Sequence, residues 1–190
     1  MNPIYRPLSL LALSALVLTA GCQSSKAPAD CGACCEGTQA ESTAPMDAGT
    51  DVLAVAQNFS LTPAQPTEFP GLHNVFHLSE NIVSGGEPHG REALETIAKM
   101  GVKTILSVDG KIPDAATAAE LGMRYVHIPI QYSGIDENEW LEIAKTFREV
   151  EGPFYVHCFH GKHRGPAAAE VGRLILDGIS REHALAEMYQ

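Results

Sequence analysis

Positive charge is scarce in this chain. Thirteen lysines and arginines face 23 acidic residues, for a formal net charge of −10, and no basic run of five or more residues occurs. An electrostatic footprint for a nucleic-acid backbone is therefore missing, which argues against nucleic acid as a partner. Gathered metal ligands are lacking too. The eight histidines are scattered, and neither a His-Glu-x-x-His motif nor paired Cys-x-x-Cys motifs bring ligands together within the domain, so neither a metal nor any other cofactor is implied. No internal repeat is evident, and the apolar run at residues 8–17 is too short to span a bilayer comfortably. What remains is a chain of 190 residues with 45% hydrophobic content, the composition of one ordinary globular domain with appendages.

The first appendage reads as an address. Arg6 precedes the apolar run, the pattern of a signal peptide over residues 1–21. The run ends in Leu18-Thr19-Ala20-Gly21-Cys22, which resembles the lipobox of bacterial lipoproteins, with Thr19 where leucine is usual. That resemblance implies lipidation of Cys22, export to the bacterial cell envelope and a lipid anchor in the membrane, facing the periplasm. Residues 22–68 are rich in Ser, Thr, Ala, Pro, Gly and acidic side chains, with little apolar periodicity to offset ordering entropy, so a flexible linker is expected. Within it, Cys31, Cys34 and Cys35 are candidates for a disulfide in an oxidising compartment, or for metal binding by clustered thiols.

Residues 69–190 have a different texture, with short apolar runs alternating with helical patterns, the order of an α/β domain with a central, mainly parallel sheet flanked by helices. Strands are expected at 75–78, 82–83, 103–108, 124–130 and 154–157. Helices are expected at 91–100, 114–121, 136–150 and 164–176, with a last one from Ser180 that is cut short two residues past Met188. In the helix 136–150, Trp140, Ile143, Ala144, Phe147 and Val150 recur at helical spacing and should face the core.

The strand Phe154-Tyr155-Val156-His157 runs straight into Cys158-Phe159-His160-Gly161-Lys162-His163-Arg164 and then an alanine-rich helix. A loop so placed aims backbone N–H groups and the positive end of a helix dipole at one point, an anion site suited to phosphate. Those groups and Arg164 favour a reactive thiolate at Cys158. Arg164 returns after five intervening residues with a planar fork for two phosphate oxygens, and Gly161 permits a backbone angle closed to side chains.

This stretch resembles the His-Cys-x5-Arg loop of the cysteine-dependent tyrosine phosphatase superfamily, in its small bacterial dual-specificity-like branch. The resemblance extends over about residues 74–188 through Ile82-Val83-Ser84-Gly85-Gly86-Glu87-Pro88, Gly101-Val102-Lys103-Thr104-Ile105-Leu106 and Tyr125-Val126-His127-Ile128-Pro129-Ile130. It implies a dual-specificity phosphatase fold and hydrolysis of phosphate monoesters, in phosphoproteins or small esters, without a cofactor. Cys158 would become a phosphocysteine, Arg164 would clamp phosphate, His157 would help hold the thiolate, and Phe159, His160, Gly161, Lys162 and His163 would offer phosphate-binding amides.

Two departures stand out. Where the family usually has Ser or Thr after the arginine, to assist loss of the thiolate, this chain has Gly165 and Pro166. The family's general acid is an aspartate upstream of the cysteine, whereas residues 126–131 hold no carboxylate. Asp136 is the nearest downstream acid, although with Glu139 it also reads as a helix capping box. Asp109, at the C-terminal end of an expected parallel strand, is the alternative acid or merely a turn residue. Lys162 and His163 resemble the basic loops of relatives that act on phosphoinositides or inositol phosphates. Two further classes stay open: a weakly active phosphate-binding pseudophosphatase, and a rhodanese-like sulfur transferase, whose loop is commonly shorter.

Overall fold

A computed structural model describes residues 51–189. The expected signal peptide 1–21, Cys22 and the cluster Cys31, Cys34 and Cys35 lie outside the described residues.

Six strands form one sheet: β1 (Thr67–Phe69), β2 (Leu72–His77), β3 (Ile82–Gly85), β4 (Thr104–Ser107), β5 (Arg124–His127) and β6 (Phe154–His157), in the order β1-β2-β3-β6-β4-β5. The first three make an antiparallel meander, while β3, β6, β4 and β5 run parallel. The intervening helices are α2 (Gly90–Lys99), α3 (Ala115–Glu120), α4 (Glu137–Glu149), α5 (Arg164–Gly172) and α6 (Arg181–Met188), after an N-terminal α1 (Val52–Gln57). Every residue of β6 and β4 is buried, because helices cover both faces of a parallel sheet and the strands need apolar groups on each. On one face Val83, Ile105 and Tyr155 pack with Ala93, Leu94, Ile97 and Ala118 of α2 and α3. On the other, Ile82, Leu106 and Val156 pack with Ile143, Phe147, Ala168 and Ala169 of α4 and α5. Alternate strand residues thus serve opposite cores.

This is the α/β, mainly parallel architecture expected from the alternation, with four corrections. The linker expected through residue 68 gives way to structure at Asp51, which caps α1 by accepting hydrogen bonds from the Leu53 and Ala54 N–H groups. Helix α1 lies against α6, burying Ala56, and Phe59 just beyond it stacks on His183 at 5.0 Å between ring centroids. Six residues are too few to display helical periodicity. The strand expected at 124–130 ends at His127; Pro129 has no N–H for a ladder, yet Ile128 and Ile130 stay buried. Trp140 is 41% exposed, whereas Ile143 and Phe147 are buried as expected, Ala144 and Val150 pack against the same core, and Thr146 joins them. The helix expected at 164–176 changes after Gly172 into a π-helical turn, Arg173–Asp177, and stops at Gly178 in the left-handed conformation (φ 64°).

The π-turn sets Arg173 between Asp177 and Glu187, with N–O distances of 2.6 and 2.8 Å. Beside them, Glu170 is buried with Oε2 unpartnered. Burial, and then the Glu187 carboxylate, push the Glu170 carboxyl up to about 8, although Arg173 pulls the other way. A carboxyl raised by folding binds its proton more tightly in the folded state. Its contribution to stability is therefore full below the unfolded value near 4.5 and is lost as pH rises through about 8. Glu170→Gln should match wild type in urea unfolding at pH 4 and exceed it at pH 9 by on the order of a few kcal/mol.

Candidate active site

Strand β6 ends in the middle of the sheet, so its C-terminal edge delivers His157 and Cys158 between the ends of β3 and β4. The chain then turns through 159–163 and enters α5 at Arg164. Two outer contacts orient this turn. The Asn74 side-chain amide donates to the His160 carbonyl at 2.9 Å, and the Glu87 N–H donates to the Phe159 carbonyl at 3.2 Å. In a trans peptide C=O and N–H point opposite ways, so the His160 and Gly161 N–H groups point away from Glu87 and Asn74. Gly161 has φ +69°, and a Cβ there would collide with the backbone of Gly85 and Gly86. His163 caps α5 without a side-chain hydrogen bond, which leaves the first amides of the helix unclaimed by it. Phe159, His160, Lys162 and His163 are exposed, whereas Gly161 is buried.

The Cys158 thiol is unpaired and 3% exposed. Gly165 backs it, and a Cβ at that position would stand 3.4 Å from Sγ and 3.1 Å from the Cys158 nitrogen. His157, below the loop, pairs Nε2 with the Tyr125 hydroxyl at 2.7 Å. Burial drives the imidazole down to about 4 and the Tyr125 phenol upward, so both are neutral at physiological pH. His157 therefore buttresses the loop without contributing positive charge.

Arg164 is 9% exposed and held from three directions. Nη1 donates to the Ile130 carbonyl at 2.9 Å, while Nη2 donates to Asp109 Oδ1 at 3.3 Å and to the Tyr132 hydroxyl at 3.1 Å. The Tyr132 ring centroid lies 4.2 Å from the guanidinium carbon, and Nε has no partner among the described residues. Asp109 is fixed in turn: its Oδ1 accepts from the Gly110 N–H at 2.6 Å and its carbonyl meets His127 Nε2 at 2.7 Å. Asp136 sits elsewhere, at the N-cap of α4, in a reciprocal capping box with Glu139 at 2.9 Å both ways. Among the described contacts none joins Asp136 to the loop. Of the two acids considered from sequence, Asp109 is the one brought to Arg164.

Tyr132 had no sequence motif to mark it. It projects from the turn closed by a Gln131–Gly134 bridge, just past the C-terminal end of β5. Ligands of parallel sheets gather at that edge, which is the signal that could have found it. Among the described residues no group of three or more His, Cys, Asp or Glu is placed to hold a metal ion.

A helix N-terminus, a buried thiol and a buried arginine with an unpartnered N–H thus come together at the C-terminal edge of the sheet, an arrangement able to hold an anion on an α/β scaffold. No family model matches the chain. Over 117 residues, 60% of this chain, it is 27% identical to the dual specificity protein phosphatase TpbA of Pseudomonas aeruginosa strain UCBPP-PA14, and spans 53% of that protein's length. The crystal structure of P. aeruginosa TpbA superposes with a TM-score of 0.51 at 24% identity, covering 65% of this chain and 76% of that one. The crystal structure of a mutant form of Tk-PTP gives a TM-score of 0.52 at 19% identity, covering 60% of this chain and 79% of that one. In fold, and in sequence over those 117 residues, the chain is similar to small bacterial dual-specificity phosphatases of the cysteine-dependent class.

Gly161→Ala tests whether the loop depends on its contact with β3. The substitution should cost about 1–3 kcal/mol in urea unfolding and weaken tungstate binding at least about tenfold by calorimetry.

Proposed function

We propose that this protein hydrolyses phosphate monoesters, phosphotyrosine foremost and phosphoserine and phosphothreonine besides, through a phosphocysteine intermediate. The observation that carries the reading is the loop at the end of β6, where a buried free Cys158 and a buried Arg164 with an unpartnered Nε flank a turn held by Asn74, an arrangement suited to a phosphate dianion. Cys158 Sγ attacks phosphorus, the S–P bond forms as the ester P–O bond breaks, and the alcohol leaves with a proton. Water then attacks phosphorus, the S–P bond breaks, and inorganic phosphate departs as the thiolate is restored. Arg164 and the loop amides meet the charge on the equatorial oxygens in both steps. Asp109 acts on Arg164, holding the guanidinium in position.

Preference for an aryl ester is supported by the exposed Phe159 on the loop and the exposed Tyr132 stacked on Arg164. The exposed Lys162 and His163 on the rim favour a second reading, a phosphoinositide or inositol phosphate substrate. Lipidation at Cys22 would place the domain at the cell envelope, facing the periplasm.

The test is hydrolysis of 4-nitrophenyl phosphate by the full chain under reducing conditions. Cys158→Ser should abolish activity, and a variant that kept its rate would sink the assignment. With no hydroxyl after Arg164, dephosphorylation should be the slow step, so wild type should release a burst of phenol near one equivalent and yield an acid-trapped phosphocysteine. Gly165→Ser, whose Cβ requires only a slight shift of the surrounding atoms, should raise steady-state turnover about tenfold and shrink the burst.

A further inference from the structure

When a phosphate ester of a poor leaving group is cleaved, its bridging oxygen needs a proton as the P–O bond breaks. The site described above offers no carboxylate suited to give it. Asp136 is committed to the cap of α4. Asp109 has Oδ1 engaged by the Gly110 N–H and Arg164, an ion pair that favours its charged, proton-free form, while Oδ2 is buried without a partner.

Tyr132 stands where such a donor should. Its side chain is 77% exposed, yet its hydroxyl reaches to 3.1 Å from Arg164 Nη2. Arginine has only donors, so the phenol oxygen accepts that bond and keeps its own proton to give. That proton has no acceptor among the described contacts. A phosphoryl group gripped by the unpartnered Nε would lie against the same guanidinium that holds the hydroxyl through Nη2, and would bring its ester oxygen within reach of that hydroxyl.

We propose that Tyr132 is the proton donor to the leaving oxygen, a phenol serving where the family's upstream aspartate is missing. The inference rests on the phosphatase reading. In the first step the Tyr132 proton passes to the ester oxygen as the S–P bond forms and the P–O bond breaks. The phenolate is left beside the Arg164 cation. In the second step the attacking water returns a proton to that phenolate as the S–P bond breaks.

The experiment measures the burst rate of the full chain on aryl phosphates whose leaving phenols range from phenol itself to 2,4-dinitrophenol. In Tyr132→Phe, the burst on phenyl phosphate should fall on the order of 100-fold, while 2,4-dinitrophenyl phosphate, which needs no proton, should stay within about threefold of wild type. An equal fall across the series would overturn the proposal and leave Tyr132 as a positioning residue for Arg164. A rise across the series would overturn it as well, marking the ring as a plug. The same steepening in Asp136→Asn or Asp109→Asn, with Tyr132→Phe unaffected, would hand the role to that carboxylate. All of these outcomes presuppose a burst that Cys158→Ser removes; absence of that burst would strike the phosphatase reading itself.

Discussion

A guanidinium taken out of water must have its N–H groups answered, and the site is organised by how Arg164 meets that demand. The backbone of Ile130, the carboxylate of Asp109 and the hydroxyl of Tyr132 satisfy three of its hydrogen-bonding directions and fix its plane. They come from two separate stretches of chain, one at residue 109 and one at residues 130–132, so the fold must be assembled before the fork is aimed. Nε is left without a partner among the described residues, and an anion in the loop is a natural partner for it. Asp109 balances the Arg164 cation, which lets a buried charge stand.

The floor of the cradle follows the opposite rule. His157 and Tyr125 are both neutral and bonded to each other, so the base of the loop carries no charge that changes near neutral pH. The positive charge beside the loop is carried instead by Arg164, at the start of α5. The fixed charge is thus separated from the packing group that supports it.

What the sequence disclosed and what it hid divide by range. The passage from β6 through the loop into α5 was legible because strand, glycine, cysteine and arginine fall within a few residues of one another, and the Asp136 cap because a capping box is a four-residue pattern. The pairing of Arg164 with Asp109 spans 55 residues and that with Tyr132 spans 32, distances at which local pattern carries no information. The short α1 escaped because its single buried residue, Ala56, leaves no stripe to recognise. The end of β5 was overrun because Ile128 and Ile130 are apolar for the core's sake, while Pro129 interrupts the ladder and the Ile130 carbonyl is turned to the arginine.

The contact between Gly161 and the Gly85–Gly86 backbone leaves no side-chain volume between the loop and β3. Two backbones touching without intervening side chains have nothing to compress or rotate, so that wall behaves as a fixed jaw. The turn carrying Tyr132 is built differently, for its exposed ring rests on a single cation. Any widening needed to admit a bulky substrate therefore falls to the Tyr132 side, and traffic in and out of the cradle is one-sided.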